Sequence, residues 1–252
     1  VDAGAEAEVT LPAGRGPVAL EIASADAVSQ LRVRLVEGTL HLHGLALGPQ
    51  PRALLQLDVF GYPGATAAGW ARSDSALLKA WFDPDPYDLV VMAYGTNEGN
   101  VNPFDAEVYR QAVAAAVANL RATFPAARCV LIGPGDRGVL VRRSQKARKA
   151  RAPAPKAGPA ARGGPAAAAP AAALLRYSRI HEAIDGIQQA AAQAAGCAYW
   201  SALEAMGGPG SAYRWARQGL MAPDLIHFTI KGYQQLAQAF AQAAGWTPVT
   251  VL

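Results

Sequence analysis

The sequence predicts an α/β protein: a mostly parallel sheet with helices on both faces, preceded by a small antiparallel β segment. Three observations carry this. From Ala53 onward, short apolar runs alternate with helical stretches in a β-α-β-α-β-α-β-α order, which right-handed crossovers convert into a parallel sheet. Gly61, Gly64, Gly95 and Gly133 all fall just past predicted strand ends, and in open α/β sheets that carboxyl edge is where ligands bind. Residues 1–47, by contrast, hold four short runs of alternating apolar and polar residues between Gly, Pro and Asp turns, the pattern of antiparallel strands with one wet face.

Taken in order, those four runs are residues 7–11, 18–22, 31–35 and 39–43. Residues 1–50 are too small a sheet for an independent domain and read as the remnant or latter half of a β-sandwich. His41 and His43 lie two apart on one strand face; with no third ligand in sight they read as solvated surface, and no metal or other cofactor is implied. Residues 51–252 form the α/β part. The run Leu54–Phe60 predicts its first strand, leading into Gly61-Tyr62-Pro63-Gly64-Ala65 and a helical stretch to about Trp81. The central strand follows at Asp88–Ala93 and delivers Tyr94-Gly95-Thr96-Asn97-Glu98. An Ala-rich helix runs from about Asp105 to Phe124, and a strand opens at Cys129 and ends in Gly133-Pro134-Gly135-Asp136. Beyond an interruption come a helix from about Leu174 to Ala195, a strand at Cys197, and a last helix from about Thr229 to Ala244. Cys129 and Cys197 each open a strand; if the strands are neighbours a disulfide is open to them, and otherwise they are two buried thiols.

The interruption, residues 141–173, is Ala, Pro, Gly, Lys and Arg without apolar periodicity and reads as a disordered, solvated basic insertion. It also explains the formal charge of +4: residues 141–176 hold nine Lys or Arg and no acid, leaving 14 basic against 19 acidic residues elsewhere, a net of −5. A mildly acidic body excludes a nucleic-acid-binding face. No stretch approaches the roughly 20 apolar residues of a membrane span. No leader is visible, and the start at Val1 reads as that of a processed or truncated product.

Two stretches invite chemistry. Ala222-Pro223-Asp224-Leu225-Ile226-His227 precedes the last helix, and an Asp three residues before a His in a tight loop can place its carboxylate on imidazole Nδ1. Nε2 is then left as a general base, and the imidazolium that follows is stabilised. The second stretch is Gly95-Thr96-Asn97-Glu98, where Asn97 offers an N–H₂ donor at a strand end.

Together these blocks resemble those of the SGNH or GDSL hydrolases. Gly61–Ala65 matches the family's second block, Gly95-Thr96-Asn97-Glu98 its third (G-x-N-D, with Glu98 in place of the commoner Asp), and Asp224 to His227 its fifth, with order and spacing kept across residues 53–252. The resemblance implies a three-layer, flavodoxin-like α/β/α fold. It also implies an oxyanion hole from the Gly64 N–H and the Asn97 side chain, and Asp224 and His227 as two members of a catalytic triad. The spelling Tyr-Gly-Thr-Asn-Glu, the preceding β segment and the Gly-rich loop 205–215 are similar to the peptidoglycan O-acetylesterase branch. There an acetylated glycan would be the substrate, Tyr213, Arg214 and Trp215 would contact it, and the location would be periplasmic or secreted. The alternative is a non-catalytic glycan-binding or scaffold module that kept the fold and lost its nucleophile. A nucleotide-binding domain is a weaker third reading, since no strand-to-helix turn carries a phosphate-cradling glycine pattern.

One block is absent. The family's nucleophile is the serine of a Gly-Asp-Ser sequence at the end of the first strand, and no Gly-Asp-Ser occurs in this chain. Ser211, after a Gly-rich turn, is the one substitute the sequence offers; otherwise the serine is expected from a segment upstream of Val1 or from another chain, and the 252 residues alone are expected to be inactive.

Overall fold

A computed structural model describes residues 8–11, 14, 18, 20, 32–42, 57–82, 87–101, 103–140 and 174–246. The chain divides into two compact units, Val1–Pro63 and Gly64–Leu252.

In the first unit the described residues form no strands. Residues 8–11, 14, 18, 20 and 32–42 carry no strand pairing, and Val18, Leu20, Val33, Leu35, Val36 and Leu42 are exposed; the remainder of the expected antiparallel segment, His43 included, lies outside the described residues. Residues 57–60, the described end of the expected strand Leu54–Phe60, are likewise not a strand, with Leu57, Val59 and Phe60 exposed. Alternation marks a chain that suits a pleated surface, but a strand exists only where a neighbour supplies the hydrogen-bond ladder.

The second unit confirms the α/β expectation. Its described strands, β1 (Leu89–Ala93), β2 (Arg128–Gly133) and β3 (Ala198–Ser201), form one sheet in the order β1-β2-β3, parallel throughout. Leu89 pairs with Arg128 and Ala93 with Ile132; Val130 pairs with Ala198 and Gly133 with Ser201. The expected helix up to Trp81 is two helices, α1 (Ala67–Ala71) and α2 (Ser75–Phe82). The break is local: Asp74 Oδ1 accepts from the N–H groups of Ala76 and Leu77 and starts a new helix.

Helix α3 (Ala106–Thr123) starts where Asp105 accepts from the N–H groups of Glu107 and Val108. It buries Tyr109, Val113, Ala116, Val117 and Leu120, a stripe at helical spacing, against the sheet face formed by Met92, Cys129 and Leu131. Helix α4 (Arg176–Ala194) shares that face through Ile184 and Ala192 and ends before Gly196, whose φ of +68° suits a residue without Cβ. Two short helices follow β3, α5 (Ala202–Met206) and α6 (Ser211–Arg217), and then the longer α7 (Ile230–Ala243). Met206, Ala212, Trp215 and Met221 make a second small core with Phe228 and Leu236 packed on it.

The opposite sheet face is less covered. Phe240 of α7 meets Trp200 of β3 edge to face at 5.3 Å, while Val91 of β1 stays 42 % exposed. Cys129 and Cys197 are joined by a disulfide that ties the start of β2 to the residue before β3, which settles the pairing the sequence left open. No described helix is long and apolar enough to cross a membrane, and the described residues contain no group of three or more potential metal ligands.

Candidate active site

The carboxyl ends of β1 and β2 carry the loops in question. After β1 the chain turns at Gly95, whose φ is +118° and whose missing Cβ would lie 2.9 Å from both the Ile184 side chain and the Pro134 ring. Only glycine fits that turn without displacing its neighbours. The carbonyl just before it is held from α4, because Gln188 Nε2 donates to Tyr94 O at 2.9 Å. A short 3-10 turn, Glu98–Asn100, then brings Asn97 and Glu98 back towards the segment after Gly64.

Asn97 Nδ2 donates to Ala65 O at 2.8 Å, which orients the amide and leaves its second hydrogen unspent. Glu98 is 9 % exposed and accepts twice: Oε1 from Ala67 N–H at 2.7 Å and Oε2 from Gly95 N–H at 3.1 Å. Gly64, one residue before Ala65, has φ +78° and open space where a Cβ would point. The Asn97 side chain is therefore held beside the segment that follows Gly64. His181 buttresses the arrangement: its ring packs on Gly99, and its Nδ1 meets Gly135 O at 2.6 Å. Burial pushes this imidazole below its ordinary pKa.

The second loop is self-contained. A bridge between Met221 and Phe228 and the bond from Ala222 N–H to His227 O close residues 221–228 into a tight turn, with Leu225 at φ +60°. Inside it, Asp224 Oδ1 accepts from the N–H groups of Ile226 and His227, and Oδ2 lies 2.7 Å from His227 Nδ1. The His227 side chain is 72 % exposed and that of Asp224 39 %. The bond to the imidazole, followed by the backbone N–H of His227, holds the Asp224 carboxyl down at about 2. With Nδ1–H donated to this carboxylate, Nε2 presents its lone pair to solvent, which is the arrangement of a general base.

Both loops border the segment that follows β2. Pro134 lies against Gly95, the Phe228 ring lies against Gly135, and Gly138 N–H donates to Leu225 O at 3.0 Å. The turn at Gly95 and the loop of residues 221–228 thus both border residues 134–138 beyond the carboxyl end of β2.

These findings match a known family: residues 43–235 fit the model of the GDSL-like lipase/acylhydrolases. The chain belongs to that family. Among solved structures it is similar to a peptidoglycan O-acetylesterase at 24 % identity and a TM-score of 0.51, covering 72 % of this chain and 43 % of that one. It is also similar to a carbohydrate esterase family 3 enzyme from Talaromyces cellulolyticus at 16 % identity and a TM-score of 0.44, covering 77 % and 75 %. The chain thus spans 43 % of the length of the peptidoglycan O-acetylesterase. No curated protein matches it in sequence.

Other predicted site residues are placed differently. Trp215 is buried in the second core and its indole N–H donates to Met206 O, so its ring has no face to offer a sugar. Tyr213 Oη accepts from Val139 N–H and donates to Leu174 O, fastening together the two stems of the basic insertion. Arg214 Nη2 donates to the same Met206 carbonyl at 2.7 Å and covers Gly207. Arg214 and Trp215 thus share the carbonyl left at the end of α5, which has to find a donor. Ser211 is 1 % exposed, which removes it as a substitute nucleophile. Nothing in the sequence singles out His181. Glu98 in the third block was the one available signal, but its partner Ala67 lies 31 residues away.

Proposed function

We propose that this chain supplies most of the catalytic machinery of a serine esterase that removes O-acetyl groups from a polysaccharide, with cell-wall glycan as the substrate class. The observation that carries it is the 2.7 Å contact of Asp224 with His227 Nδ1 inside the family's fifth block, which leaves Nε2 free. The likeness to a peptidoglycan O-acetylesterase supports the substrate class.

The chemistry follows from the groups. A serine hydroxyl attacks the acetyl carbonyl as His227 Nε2 takes its proton, and the Asp224 carboxylate stabilises the imidazolium. The carbonyl oxygen becomes an oxyanion and receives hydrogen bonds from the Gly64 N–H and the second hydrogen of Asn97 Nδ2. Collapse of the tetrahedral intermediate breaks the bond to the sugar oxygen, which leaves with the proton from His227; water then attacks the acetyl-enzyme by the same route and releases acetate. An acceptor sugar in place of that water would give acetyl transfer with the same residues.

A nucleophilic serine in a Gly-Asp-Ser block is what this sequence lacks. We place it on a strand from a segment outside these 252 residues, pairing along the outer edge of β1, which has a neighbour on only one side among the described strands. The Cys129–Cys197 disulfide supports a periplasmic or secreted location. The absence of Gly-Asp-Ser favours one other reading, a glycan-binding module without turnover. Treating the 252-residue chain, and then the protein with its upstream sequence restored, with an acetyl ester and a serine-reactive phosphonate separates the two. Turnover and labelling only in the longer protein, at an upstream serine, is the expected result; no turnover and no labelling in either leaves the binding module.

A further inference from the structure

The geometry points to Glu98 as the positioning residue of the oxyanion hole, a carboxylate that holds the loop of Gly64 and the loop of Asn97 at a fixed separation. This inference rests on the esterase reading and adds a residue to it.

Neither donor of the hole is set by its own loop alone. Gly64 has φ +78°, is exposed, and has nothing within 4 Å of where a Cβ would stand. A backbone N–H in so permissive a setting points in a defined direction only if the residues after it are fixed. Two bonds fix them, and both reach the loop after β1: Ala65 O accepts from Asn97, and Ala67 N–H donates to Glu98 Oε1. The second is the stronger, because its acceptor is charged and lies away from water. It also substitutes for a missing local cap. Thr66, the N-cap of α1, makes no side-chain cap bond, so the first N–H of that helix is satisfied from across the site rather than by its neighbour.

The other carboxylate oxygen works in the opposite direction. Glu98 Oε2 accepts from Gly95 N–H and so closes the turn from which Asn97 projects. One side chain therefore ties the turn that carries Asn97 to the helix start that fixes Gly64, with an oxygen for each. Donors aimed in advance at the developing oxyanion stabilise it without reorganising during the reaction, and Glu98 is what sets their aim. Aspartate at this position is one methylene shorter and would have to move to reach both N–H groups, and glutamine puts an N–H₂ where one N–H needs an acceptor.

The test uses the protein with its upstream sequence restored and a soluble acetyl ester, with Glu98→Gln and Glu98→Asp made alone and on an Asn97→Ala background. Amide hydrogen exchange at Ala67 and Gly95 is followed in the 252-residue chain. Glu98→Gln is expected to lower kcat roughly 10- to 100-fold with KM within about two-fold, since the misaimed donors act on the transition state. On the Asn97→Ala background, where only the Gly64 donor is left to be misaimed, the further loss should be clearly smaller than on the unsubstituted background. Exchange at Ala67 and Gly95 should become faster in the variant. The Glu98→Asp variant gives the same comparison should the glutamine variant fail to fold. Equal losses on both backgrounds, or an unchanged kcat with faster exchange, would reduce Glu98 to bracing the fold and overturn the inference. An unsubstituted long protein that hydrolyses nothing would overturn the esterase reading itself, and the catalytic sense of Glu98 with it.

Discussion

The two loops that carry the candidate chemistry are built in opposite ways. The turn at residues 221–228 is closed by bonds among its own residues: Asp224 and His227 are three apart, every donor to Asp224 lies within three residues of it, and the imidazole stands in solvent. The turn after β1 is buried and, besides its local bond from Gly95 N–H to Glu98, is held from a distance, by Glu98 on Ala67, by Asn97 on Ala65, and by Ile184 and Pro134 packed where a Cβ of Gly95 would be. The first loop can lose its functional side chain with little effect on folding. The second cannot change shape without disturbing the helices it holds.

The largest effect that would test this contrast is on turnover. In the long protein, His227→Ala and Asp224→Asn are each expected to reduce kcat by on the order of 10⁴-fold, the asparagine by holding the wrong tautomer. The midpoint of denaturant unfolding should hardly move, because the imidazole is 72 % exposed. Steady-state kinetics beside a urea titration measures both; a large drop in the midpoint for His227→Ala would show that the exposed loop is a structural element after all.

A mutation in the buried loop should do the reverse. Gly95→Ala forces a side chain into a positive φ of +118° and against the Ile184 and Pro134 atoms 2.9 Å away, which is expected to cost roughly 3 kcal/mol of stability. The same urea titration of the 252-residue chain reads it. A loss under about 0.5 kcal/mol, the size of an ordinary surface change, would mean that the turn yields and that the contrast between the loops is overdrawn.

The smallest effect is in acid. The Asp224 carboxyl is held at about 2, below the ordinary 3.8. Its folded value is depressed, so the stability it contributes is fully present above 3.8 and is lost as pH falls through about 2. Screening by solvent keeps the contribution modest. Following the Asp224 carboxyl by NMR between pH 5 and pH 1.5 should give a midpoint near the lower value, and Asp224→Asn should flatten stability over that window. A midpoint at the ordinary value would break the local pairing with His227.

The sequence by itself determined what depends on near neighbours and on composition. The parallel strands at Leu89, Arg128 and Ala198, the long helices α3 and α4, and the pairing of Asp224 with His227 could all be read from periodicity, turn residues and a three-residue spacing. Each of those is fixed by interactions within a few residues or by a face that only has to be apolar. The tertiary structure decided the rest. Whether Leu57–Phe60 would be a strand depended on a neighbouring ladder that no stretch of sequence announces. Whether Trp215 and Ser211 would face a substrate or the core depended on how α6 packs, and both went inward. Cys129 and Cys197 could be known as a pair only once β2 and β3 lay side by side. Glu98 could be given a task only once Ala67, 31 residues earlier, came within 2.7 Å of it, because a carboxylate acquires a role from the donors that folding delivers to it.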